Sequence, residues 1–109
     1  MEKVNFKELQ GLGLSKNKIS DIKLLEKIKF EKLEYLYLSE NNISNIDILE
    51  KVYLKELKEL VLANNTISDI KVLEKVKFEK LEYLDLINNK IDKKQKNLIV
   101  SKIKNILRI

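Results

Sequence analysis

The chain has no cysteine, no histidine, no proline and no tryptophan, and Arg108 is its only arginine. Without cysteine there are no disulfide staples and no thiolate metal ligands. Without histidine the commonest general base and zinc ligand is missing as well. The only glycines are Gly11 and Gly13, too few and too close together for a phosphate-cradling loop. No apolar run approaches the roughly 20 residues needed to span a bilayer. The start, Met1-Glu-Lys-Val-Asn-Phe-Lys-Glu, is charged and carries no signal-peptide core. These absences lead to the expectation of a cytoplasmic, non-enzymatic protein with no cofactor and no metal.

Positive charge is abundant but uneven. The net charge is +5 over 109 residues. Residues 90–109 carry seven basic side chains against Asp92, a net of +6, while residues 1–89 carry 15 lysines against 16 acids, a net of −1. The basic excess is a property of the C-terminal segment alone.

The chain is instead rich in an eleven-residue pattern, L-x-x-L-x-L-x-x-N-x-I. It occurs four times at a step of 24: Leu9 to Ile19, Leu33 to Ile43, Leu57 to Ile67 and Leu81 to Ile91. A fixed step of this size is the signature of a solenoid, in which each unit buries its apolar face against its neighbours. Within each unit the first half alternates, as in Tyr35-Leu36-Tyr37-Leu38, which reads as a short strand with one buried face. The second half changes period. Ile22, Leu25, Ile28 and Phe30 recur as Ile46, Leu49, Val52 and Leu54, then as Ile70, Leu73, Val76 and Phe78, a spacing that predicts a turn or two of helix. Ser20, Ser44, Ser68 and Asp92 precede these turns and are expected to be their N-caps. Asn17, Asn41, Asn65 and Asn89 occupy the column where the strand must bend, and are expected to form a structural ladder that satisfies loop backbone groups.

This pattern resembles that of leucine-rich repeat proteins. The continuation, as in Ile67-Ser68-Asp69-Ile70-Lys71-Val72-Leu73, is similar to the phosphatase-regulator-like and internalin-like class, although units of that class are usually about 22 residues long. The resemblance covers residues 2–92. It implies an α/β solenoid with four short parallel strands on a concave side and helical turns on a convex side, and it implies protein binding on the concave sheet.

Three regions are expected. Residues 1–8 match the tail of a repeat and are read as a partial unit forming an N-terminal edge, with Val4 in the column of Ile28 and Phe6 in that of Phe30. Residues 9–92 hold the repeats. Residues 93–109 are read as an amphipathic capping helix, with Ile99, Val100, Ile103, Ile106 and Leu107 on its core stripe and Lys94, Asn97, Ser101, Lys104 and Arg108 opposite. On the convex side, Lys7-Glu8, Glu31-Lys32, Lys55-Glu56 and Glu79-Lys80 alternate in order, so that stacked units face opposite charge.

The outward columns of the strands vary where the inward ones do not. The candidate partner-binding residues are Glu34, Tyr35, Tyr37, Glu40, Glu59, Val61, Glu82, Tyr83, Asp85 and Ile87. Exposed tyrosine beside aliphatic side chains has the character of an interface hot spot, here ringed by acids with Lys58 opposing. The expected function is a protein-interaction module with a basic partner. One alternative is a scaffold or engineered solenoid fragment that self-associates through its N-terminal edge or C-terminal helix. Another is attachment of that helix to nucleic acid or an anionic membrane, which ranks below the protein partner.

Overall fold

A computed structural model describes residues 4–5, 7–76, 78–103 and 105–109. The expectations placed on Phe6 and Lys104, and on the side chain of Ser101, lie outside the described structure. In chain order the strands are β1 (Val4–Asn5), β2 (Gly11–Gly13), β3 (Ile28–Lys29), β4 (Tyr35–Tyr37), β5 (Glu59–Val61), β6 (Tyr83–Asp85) and β7 (Leu107–Arg108). Strands β2, β4, β5, β6 and β7 form one parallel sheet in that order, and β1 pairs with β3 in a second, two-stranded sheet.

The 24-residue step sets the register. Leu12 lies beside Leu36, Leu36 beside Leu60, and Leu60 beside Leu84. Val4 lies beside Ile28, as the alignment of the N-terminal half-unit predicts. Leu36, Leu38, Leu60, Leu62 and Leu84 are fully buried. Leu12 and Leu14, in the same inward columns, are only half-buried, because no described coil covers the first unit.

Opposite the sheet run three 3₁₀ turns, Lys23–Lys27, Asp47–Lys51 and Lys71–Glu74. Each is too short to sustain a helix alone and is held by an inward leucine, Leu25, Leu49 or Leu73, joined in the third turn by Val72. The serine caps expected here are not formed. The residue after each serine does the work: Lys23 N donates to Asp21 Oδ1 at 2.8 Å, Asp47 N to Asn45 Oδ1 at 2.9 Å, and Lys71 N to Asp69 Oδ1 at 3.0 Å. These are Asx turns, in which the side-chain oxygen reaches the backbone two residues on. A serine one position earlier is out of register for that bond. Asp92 does cap its helix, accepting from Gln95 N at 2.9 Å.

The asparagine column carries the bend. Asn65 is buried; its Oδ1 accepts from Ile43 N at 3.0 Å and its Nδ2 donates to Leu38 O and Leu62 O, both at 3.0 Å. Asn41 accepts from Asn17 N and Ile19 N, and Asn89 from Ile67 N. Asn17, at the exposed start of the column, donates its Nδ2 to Ser15 O and, among the described residues, accepts from no earlier coil. Each interior asparagine therefore ties its own coil to the one before.

The C-terminal segment departs from the expected single helix. Helix α1 spans Lys93–Ile103 and ends there. The chain then turns back, and β7 pairs Leu107 with Leu84 and Arg108 with Asp85. Leu84 N donates to Ile106 O at 2.8 Å and Leu86 N to Arg108 O at 2.7 Å. The outer edge of β6 would otherwise present a row of unpaired backbone groups, which a returning strand satisfies. The last coil is thus a repeat closed at a 23-residue step, with an α-helix in place of the 3₁₀ turn. Ile99 is buried against the last units, and Gln95 Oε1 accepts from Ile70 N at 2.7 Å.

Candidate partner-binding face

The outward positions of the sheet form two rows of side chains set by strand register. One row is Gly11, Tyr35, Glu59 and Tyr83. The other is Gly13, Tyr37, Val61, Asp85 and Arg108. The rings of Tyr35 and Tyr37, two residues apart on one strand, lie 6.4 Å apart and near parallel at 23°. Gly11 puts no side chain against Tyr35, where a Cβ would stand 3.9 Å from the ring. Ile87 follows β6 and is half-buried beside the end of this face.

The face binds its own charges. Tyr37 Oη donates to Glu59 Oε1 at 2.7 Å, and that bond holds the phenol proton so firmly that its pKa is pushed up to about 12, with burial adding to the effect. Tyr83 Oη donates to Asp85 Oδ2 at 3.2 Å and accepts from Arg108 Nη1 at 3.1 Å. Arg108 is held charged above its ordinary range, first by Tyr83 and then by Asp85. Lys58 Nζ meets Glu34 Oε2 at 3.1 Å, and the hydrogen bond to Glu34 raises the lysine pKa. The expected acidic ring is therefore compensated in part: Lys58 offsets Glu34 and Arg108 stands near Asp85, while Glu59 is hydrogen-bonded to a neutral phenol and keeps its charge. Glu82 is exposed, with Lys58 as its neighbouring positive charge. Tyr35 makes no hydroxyl hydrogen bond among the described residues.

Glu40 lies beyond the strand, in the bend. Lys16, Glu40, Asn64 and Asn88, one per unit, all adopt left-handed backbone with φ between 56° and 61°. Asn88 Nδ2 donates to Asn64 Oδ1 at 2.9 Å, and Lys16 Nζ stands 3.7 Å from Glu40 Oε2. On the other side of the solenoid the alternating charge order pairs Lys32 with Glu8 at 2.9 Å and Lys80 with Glu56 at 3.0 Å.

A family model described as leucine rich repeats (2 copies) matches residues 7–51 and again residues 55–105. The chain belongs to the leucine-rich repeat family. No curated protein matches it. Leucine-rich repeats are generally protein-interaction modules.

On this leucine-rich repeat frame, Tyr35, Tyr37, Glu59, Val61, Tyr83 and Asp85 stand together on three adjacent strands. Glu34 and Glu82 flank them one residue upstream, and Glu40 sits apart in the bend. Arg108 joins the face although the sequence placed it on the outside of a helix. Its signal was the alternation Leu107-Arg108-Ile109, which repeats Leu84-Asp85-Leu86 at a step of 23. A groove of about 510 Å³ also lies on the flank between the first two 3₁₀ turns, lined by Asp21, Lys23, Asp47 and Lys51 among others. Its walls carry both signs of charge and it shares no residue with the tyrosine face. Among the described residues no cluster could hold a metal ion, and no helix is long and apolar enough to cross a membrane.

Proposed function

We propose that this leucine-rich repeat chain is a non-enzymatic protein-binding module whose partner docks on the tyrosine-bearing face of the sheet. The observation that carries the reading is that Tyr35, Tyr37 and Tyr83 stand with Val61 on three adjacent strands in fixed register, the Tyr35 and Tyr37 rings stacked and the Tyr37 and Tyr83 hydroxyls held by hydrogen bonds. Tyrosines fixed in advance lose little rotamer entropy on binding and supply large amphipathic contact area. Because Lys58 already offsets Glu34 and Arg108 stands near Asp85, the partner needs an apolar or aromatic anchor for the cluster and few cations. A single lysine or arginine beside that anchor suits Glu82, and a hydrogen-bonding group suits the Tyr35 hydroxyl.

The test is selection from a displayed library of random peptides, followed by affinity measurement on the parent and on a Tyr35→Ala, Tyr37→Ala, Tyr83→Ala variant. Hot-spot truncation of this kind costs about 2 kcal/mol or more, roughly a 30-fold loss of affinity. Selected peptides should pair an apolar or aromatic residue with a nearby basic one and should lose the variant. Peptides that bind the variant as tightly as the parent would refute the assignment.

A further inference from the structure

Strand β5 lies in the middle of the five-stranded sheet, with β4 on one side and β6 on the other. Its two outward residues differ in chemistry. Glu59 stands between Tyr35 and Tyr83, and Val61 stands between Tyr37 and Asp85. Neighbouring strands lie about 4.8 Å apart, so the residues that flank β5 stand roughly 10 Å from each other across it. Val61 is half-buried and has the shortest of these six side chains. It leaves a shallow apolar dip, walled by Tyr37 on one side and by Tyr83 and Asp85 on the other.

The charges around the dip are unequally matched. Lys58 Nζ meets Glu34 Oε2 at 3.1 Å, and Arg108 lies beside Asp85 in strand register. Glu82 feels the charge of Lys58. Glu59 makes no ion pair among the described residues. Its Oε1 accepts the Tyr37 phenol proton at 2.7 Å, while its Oε2 accepts no hydrogen bond among them. None of the described side-chain oxygens is both buried and unpartnered, so Glu59 Oε2 is open to solvent. The phenol is a neutral donor; it fixes the carboxylate in place without cancelling its charge.

We propose that the dip on β5 seats an arginine of the docking partner, its stem lying on Val61 and its guanidinium donating to Glu59 Oε2 beside the tyrosine rings. The proposal rests on the docking role of this face and adds which acid takes the partner's cation. Charge complementarity selects the occupant: Glu82 already has Lys58 nearby, whereas Glu59 has only the phenol. A long side chain with a cationic tip fits an apolar floor with a carboxylate at its edge, because the methylenes bury while the charge stays wet. Arginine fits better than lysine, since a flat guanidinium stacks on tyrosine and still donates in its plane to a carboxylate. For a lone arginine side chain, these contacts give a dissociation constant on the order of 10 mM.

Nuclear magnetic resonance of the 109-residue chain, titrated with Nα-acetylarginine amide to about 100 mM to bracket that affinity, reads the proposal. Saturating shifts are expected at the Val61 methyls and at the Tyr37 and Tyr83 rings. Tyr53, exposed outside the sheet, is the internal reference and should drift without saturating. Nα-acetylcitrulline amide has the same shape without the charge and should bind about tenfold more weakly. Glu59→Gln keeps an acceptor for Tyr37 and removes the charge; it should weaken the arginine probe about tenfold while the melting temperature holds. Shifts that fail to saturate at these residues overturn the proposal. So do shifts that citrulline, or the Glu59→Gln chain, reproduces in full. Selected peptides that lose the triple tyrosine variant but bind Glu59→Gln as tightly as the parent would keep the docking face and overturn only this seat.

Discussion

Replacing Leu60 with alanine should destabilise the fold far more than the same change one end of the sheet away. Leu60 lies on the middle strand, between Leu36 and Leu84, and is 0% exposed. The substitution removes three carbon atoms from a closed layer, a transfer cost of about 2.4 kcal/mol at roughly 0.8 kcal/mol per group. Neighbours pinned in strand register cannot collapse into the space, which adds a cavity cost and brings the total to about 3–5 kcal/mol. Leu12 occupies the same column but is half-buried at the open end. Leu12→Ala leaves a notch that water fills, and its cost should be about half as large or less. A chain of this size has about 5–15 kcal/mol of total stability, so Leu60→Ala should shift a urea midpoint sharply and Leu12→Ala modestly. Equal effects from the two variants, or a Leu60→Ala midpoint matching the parent, would refute the stacked-layer reasoning.

Other expectations follow from single side chains. Asn65→Ala orphans the Ile43 amide and several carbonyls in the interior and should cost about 2–4 kcal/mol, against under about 0.5 kcal/mol for exposed Asn17→Ala; thermal melts compare them. Glu40→Asn places in the left-handed bend the residue type that Asn64 and Asn88 already supply there. It should stabilise the chain by about 0.5–1 kcal/mol, outweighing the loose, exposed Lys16 ion pair. Tyr37 should ionise near pH 12, above an ordinary tyrosine, in an ultraviolet titration. Its raised folded pKa means the stability it contributes is complete below about pH 10, the unfolded value, and is lost as pH climbs through the folded value. Glu59→Gln should bring that titration down.

The core was legible because its signal repeats. Four copies of one pattern fix the strand register, the inward leucines and the asparagine column without any long-range information, since each coil meets only the next. Where repetition stopped, legibility stopped with it. Leu107-Arg108-Ile109 alternates like a strand but follows α1 at a step of 23, and Leu107 also fits the helical stripe, so periodicity alone could not divide them. The serines looked like caps by residue type, yet the bond goes to Asp21, Asn45 and Asp69 one position on, a matter of backbone geometry. The face was legible as a list of outward residues but not as an electrostatic object. That Glu34 meets Lys58, Glu59 meets Tyr37, and Asp85 meets Tyr83 depends on rotamers and on a strand that returns from the far end of the chain. Counting acids missed Arg108 and the hydrogen bonds that fix Glu59 and Asp85.

The central claim is that partners dock on the tyrosine-bearing sheet. Amide chemical-shift mapping of the labelled chain, titrated with a selected peptide, tests it most directly. The largest shifts should fall on residues 35, 37, 59, 61, 83 and 85, fading toward the flank. Shifts gathered instead around Asp21, Lys23, Asp47 and Lys51, with the tyrosine strands unmoved, would place the binding site in the charged groove and contradict the account.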